Sequence, residues 1–138
     1  MQHEAFIAGY ERVRHAGDSD ALGRLWHPDG WLHHPSLGRR VRGSQLSAFD
    51  ELVRERLPDL SWELSNWAAH GDVVYLEWTC RAGVAGRPVA WSGVDRITMR
   101  GEKIAEQVVY CDTMPLWAAV DRSLARAALL DAGSAARV

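Results

Sequence analysis

Phe6, Ile7, Tyr10 and Val13 recur three or four positions apart in an otherwise polar stretch. That spacing predicts a first helix over about residues 3–16, ended by Gly17. Leu22, Leu25 and Trp26 continue the pattern in a short second helix, which Asp18 or Asp20 can cap. "HPDG" breaks this helix, and "WLHH" (Trp31 to His34) opens a first strand. "PSLGRRVRG" reads as a turn. Ser44 suits the cap of a third helix that turns Leu46, Phe49, Leu52 and Val53 inward and stops at Pro58.

The period then changes from about 3.6 to two. "LSWELSNWAA" alternates and meets a tight "GD" turn. "VVYLEWTCRA" places Leu76, Trp78 and Cys80 on one face and Glu77, Thr79 and Arg81 on the other. "GVAGRP" turns the chain into "VAWSGVDRITM", and "RGEK" turns it into "IAEQVVYCD". Pro115 fits the first turn of a closing helix, with Leu116, Val120, Leu124 and Ala128 inward. The order is helix, helix, strand, helix, then a four-strand antiparallel meander. It predicts an α+β fold with helices on one face of a curved sheet. A curved sheet closed by helices makes a cone with an apolar mouth, where small molecules bind. Residues 1–130 read as one domain and "DAGSAARV" (131–138) as a frayed tail.

Composition narrows the functions. With 138 residues, 25% charged residues and a formal net charge of −2, nothing favours nucleic acid or an anionic membrane surface. The start of the chain has no signal-peptide pattern, and no apolar run is long enough to span a bilayer. Two cysteines, Cys80 and Cys111, do not make a disulfide framework, so free thiols in the cytoplasm are expected. Lys103 is the only lysine, an arginine bias that points to a GC-rich bacterial genome. Arg39, Arg40 and Arg42 read as a solvated loop. Seven tryptophans are many for this length and must line a core or a pocket.

Three residues stand out chemically. Asp95 lies in mid-strand on the face of Trp91, Gly93, Ile97 and Met99, where an acid must find a partner, stay protonated or line a wet cavity. It is either a structural acid paired with an arginine or a pocket acid that donates a hydrogen bond. Tyr10, on the apolar stripe of the first helix, is either a core tyrosine or a hydroxyl aimed into the cone. Neighbouring strand residues face opposite ways, so His33 goes with Trp31 and His34 with Leu32. A pocket-facing histidine suits a general base. His27, His33 and His34 lack the spacing of a metal motif, so neither metal nor cofactor is expected. Asp112 is a rim acid, a helix cap or a dimer contact. Trp26, Leu32, Phe49, Trp62, Trp78, Cys80, Trp91, Met99, Val109 and Cys111 are the expected pocket walls.

"GDSDALGRLWHPDGWLHHP", "VRGSQLSAF" and "WSGVDRITMRGEKIAEQVVYCD", in this order and spacing, resemble the SnoaL-like branch of the NTF2-like superfamily. That branch holds ketosteroid isomerases, polyketide cyclases and limonene-epoxide hydrolases, and the resemblance runs from about residue 4 to 120. It implies a cone-shaped fold and a homodimer, with the outer strand faces of Tyr75, Glu77 and Thr79 available for pairing. Ketosteroid isomerases carry a tyrosine shortly before a Gly-Asp turn, a general base just before a proline, and a protonated aspartate in the third long strand. Tyr10, His34 and Asp95 match those places. The resemblance therefore implies Tyr10 and Asp95 as oxyanion donors and His34 as proton shuttle. The departures are a histidine where the isomerase base is an aspartate, Asp95 where cyclases have a histidine, and Val109 where they have an acid. The implied function is isomerisation, cyclisation or dehydration of a small apolar carbonyl compound. The alternatives are a non-catalytic ligand-binding or dimerisation module, or an epoxide hydrolase.

Overall fold

The structure, a computed structural model, describes residues 3–35 and 37–121. Helix α1 (His3–Ala16) buries Ile7 and Tyr10, as the apolar spacing requires. Gly17 reverses the chain at a positive φ of 67°, a region glycine enters without strain. Asp18 then caps α2 (Ser19–Gly23), its Oδ1 accepting from the Ala21 amide. Such a cap contributes about 1 kcal/mol.

Strand β1 (Trp26–His33) starts five residues earlier than the sequence suggests. "HPDG" does not delay the strand, because the register of β1 against its neighbour is irregular between Trp26 and Trp31. An irregularity of this kind tolerates proline and glycine. Trp26 therefore belongs to the sheet rather than to α2. A two-residue strand, β2 (Val41–Arg42), lies within the expected turn. A single turn of 3₁₀ helix (Gly43–Gln45) leads into α3 (Leu46–Arg56), and Ser44 makes no side-chain cap. Leu52 is half-exposed. The inward stripe of α3 runs through Leu46, Phe49, Asp50 and Val53, spaced i, i+3, i+4 and i+7, and Leu52 falls off it.

The meander follows as β3 (Ser61–His70), β4 (Val73–Val84), β5 (Arg87–Arg100) and β6 (Lys103–Cys111). The six strands order as β2-β1-β6-β5-β4-β3. All neighbours are antiparallel except β1 with β6. Pro115 lies in the first turn of α4 (Met114–Val120), and Asp112 accepts from the Met114 amide just before it. Val120 is exposed instead of inward, while Leu124, Ala128 and the tail fall outside the described residues. Arg40 stacks over Trp31 at 3.7 Å rather than being only solvated.

The architecture is α+β, with a curved sheet and helices against its inner face. Val74, Leu76, Ile97 and Ile104 fill one part of that face and are wholly buried. Among the described residues, no helix is long and apolar enough to cross a membrane.

Candidate active site

The helices and the inner sheet face enclose a cavity of about 140 Å³. An apolar cavity of that size holds roughly one six-membered ring. Tyr10, His34 and Asp95 all line it. So do Trp26, Leu32, Phe49, Trp62, Trp78, Cys80, Trp91 and Val109. Met99 and Cys111 are not among the described residues that line it. Met99 shares the inner face of β5 but stands four residues beyond Asp95, about 13 Å along the strand, where it is packed in the core. Cys111 lies opposite Gly93 in the register, with its Cβ against the glycine backbone.

Asp95 is 4% exposed and both of its carboxyl oxygens accept hydrogen bonds. Trp78 Nε1 donates to Oδ1 at 2.9 Å, and Gln107 Nε2 donates to Oδ2 at 2.7 Å. Gly93 makes the first contact possible. It faces Trp78 across the β4–β5 ladder, and a Cβ there would stand 2.8 Å from the indole. Burial pushes the Asp95 carboxyl up to about 6, against the pull of the Trp78 bond, the Arg14 charge and the Gln107 bond. The acid therefore gains and loses its proton close to neutral pH.

Gln107 Nε2 also donates to the Tyr10 hydroxyl at 3.2 Å. A carboxylate only accepts, so Asp95 fixes which end of the Gln107 amide points at it. The two amide hydrogens are then shared between Asp95 and Tyr10. The Tyr10 oxygen is an acceptor in this chain, which leaves its own proton for another group. Tyr10 is 3% exposed, its ring edge-to-face with Trp62 at a centroid distance of 5.6 Å, and burial pushes its hydroxyl up to about 12. It stays protonated at any physiological pH.

The two histidines at the end of β1 separate. His33 is exposed, while His34 is half-buried and faces the cavity. Burial, then the nearby His33, lowers the pKa of His34, so it is neutral at pH 7 and able to accept a proton. Burial pushes the Cys80 thiol up to about 11 and raises that of Cys111, so both remain thiols, poor nucleophiles.

Three polar lining residues were not singled out from the sequence, Gln107, Arg14 and Asp50, and the helix-side leucines and Val53 were not named as pocket walls. Gln107 is a polar residue on the inner face of β6, one inward position before Val109. The signal that exposes Asp95, polarity on an apolar face, applies to it equally. Arg14 and Asp50 each sit four residues after a buried stripe position, Tyr10 and Leu46. Asp50 receives the Ser19 hydroxyl at 2.7 Å and Arg54 Nε at 2.8 Å, with Arg14 Nη1 3.8 Å away. No group of three or more metal-ligating side chains occurs among the described residues.

Comparison with known proteins follows the same lines. The SnoaL-like domain matches residues 4–107. The chain belongs to the SnoaL-like family. IdmH from Streptomyces antibioticus, a candidate polyketide cyclase, is similar over 87% of this chain and 99% of its own, at 20% identity and a TM-score of 0.74. A protein with a ketosteroid isomerase-like fold from Catenulispora acidiphila, solved with trimethylamine, covers 82% and 89% at 19% identity and a TM-score of 0.74. An NTF2-like protein of unknown function from Burkholderia pseudomallei covers 80% and 90% at 17% identity and a TM-score of 0.71. At these identities the likeness concerns the fold. A search of curated protein sequences gives no match.

Proposed function

We propose that this SnoaL-like chain is an acid–base enzyme of the cyclase or isomerase type, acting on a small apolar carbonyl compound. One observation carries the reading. A protonated tyrosine, a neutral histidine and an acid poised near neutral pH line one small apolar cavity. In this reading Tyr10 donates to the carbonyl oxygen, and the Gln107 amide, by donating to the Tyr10 oxygen, makes that hydroxyl a stronger donor. His34 takes the proton from carbon and returns it elsewhere. Asp95 is a carboxylate that orients Gln107 above about pH 6. An apolar ligand that displaces water raises the Asp95 pKa further, and the neutral acid then becomes a second donor to the developing oxyanion. The protein acts as a homodimer without metal or cofactor, its sheets paired through the outer strand faces.

The test is hydrogen–deuterium exchange at carbon. A panel of small ketones, acetophenone and cyclohexenone among them, is incubated with the protein in heavy water and followed by proton NMR. The protein should accelerate exchange next to the carbonyl. Tyr10→Phe and Asp95→Ala should each slow it more than a hundredfold, in line with about 3 kcal/mol for one well-placed donor. Unchanged rates in both variants would refute the assignment and favour a binding module.

A further inference from the structure

The cavity wall opposite the sheet carries a charge that the acid–base reading does not use. Arg14 lies one helical turn beyond Tyr10 on the same face of α1, so their Cα atoms are about 6 Å apart along the helix axis and both side chains line the cavity. Its guanidinium rests over Trp62 at 5.3 Å. The side chain is 16% exposed, and Nε is buried with no hydrogen-bond partner among the described residues. Its nearest carboxylate, Asp50, already accepts from Ser19 and Arg54 on one oxygen. The other oxygen stands 3.8 Å from Arg14 Nη1, beyond hydrogen-bond range. Asp50 is thus hydrogen-bonded to Arg54 and only a longer ion partner of Arg14, which keeps one buried donor, Nε, unfilled in the cavity wall.

A largely buried guanidinium with an unfilled N–H and only a long ion pair is costly unless an anion completes it. The fork geometry of arginine matches a carboxylate. We propose that Arg14 anchors a carboxylate on the ligand, so that the substrate class is a small apolar keto acid. Its acid group would sit on Arg14 and its carbonyl on Tyr10, about one helical turn apart. This rests on the cavity being the ligand site of the acid–base reading.

The experiment compares two rings of nearly the same size, benzoate and its neutral counterpart benzamide, by titration followed through protein NMR at pH 7. Wild-type protein should bind benzoate at least tenfold more tightly. The Arg14 Nε–H resonance should move with benzoate and not with benzamide. Arg14→Gln should abolish the preference while leaving benzamide affinity within twofold, which also shows that the cavity is intact. Should that variant not fold, the wild-type ratio and the Arg14 resonance decide. Equal affinity for the two rings, or a preference that survives Arg14→Gln, would overturn the anchor and leave the acid–base reading standing. Binding of neither ring would overturn both.

Discussion

Two carboxylates are buried in the walls of one cavity, and the fold satisfies them by different means. Asp50, on the helix side, has Arg54 Nε at 2.8 Å, the Ser19 hydroxyl at 2.7 Å and Arg14 at the edge of contact. Asp95, on the sheet side, has two neutral N–H donors and, among the described residues, no ion pair. An ion pair of the first kind is a clamp, and it ties α3 to α1 and α2. The second arrangement solvates the charge incompletely, so the acid's midpoint rises to about 6 and it is still mostly ionised at pH 7. The same side chain keeps its charge as a structural partner where a cation touches it, and has its pKa raised where only dipoles do.

The largest effect expected of this contrast is on stability. Asp50→Ala leaves Arg54 and Ser19 without their acceptor and should cost about 3 kcal/mol, read as a drop in the urea midpoint. A loss below about 1 kcal/mol would mean that the clamp contributes little.

Asp95→Asn should act in the opposite direction. The folded carboxyl is raised to about 6 from an ordinary 3.8, so the native state holds a proton that the unfolded chain has lost. The stability this contributes is fully present below about pH 4 and is lost as pH rises through 6. At pH 7 the ionised acid costs about 2–3 kcal/mol, which the amide avoids once Gln107 turns over so that its unpartnered Oε1 accepts from the new Nδ2. The variant should therefore be more stable than wild type at pH 7, should lose that advantage near pH 4, and should be inactive. Equal stability of the two proteins at pH 7 would place Asp95 among the satisfied carboxylates.

The smallest effect concerns one donor. Gln107→Leu removes a hydrogen bond to Asp95 and the one to Tyr10. It should move the Asp95 midpoint further toward neutral pH and slow carbon-acid exchange about tenfold. An exchange rate equal to that of wild type would show that the amide serves only packing.

Much of this was readable before any coordinates, and the remainder has physical reasons. Period-two patterning in residues 60–111 delivers the meander, because one buried face leaves a strand only one workable phase. The same rule separates His33 from His34, and the family resemblance singled out His34, which the structure turns to the cavity. It failed at "HPDG", where turn-forming residues sit inside an irregular strand, and at Leu52, where hydropathy outweighed helical phase. Asp95 was legible because an acid in mid-strand is conspicuous. Gln107, Arg14 and Asp50 were not, since a neutral amide is less conspicuous and the pairing of Arg14 with Asp50 joins two helices distant in sequence. Cavity volume depends on how the tryptophan rings pack, which pattern alone does not encode.

The most direct measurement is a carbon-13 NMR titration of the aspartate carboxyls, with Asp95→Asn used to assign the signal. The account expects one carboxyl with a midpoint near pH 6 that disappears in the variant and rises when a neutral apolar ring such as acetophenone fills the cavity. A midpoint for Asp95 in the ordinary carboxylate range, unmoved by the ring, would contradict it.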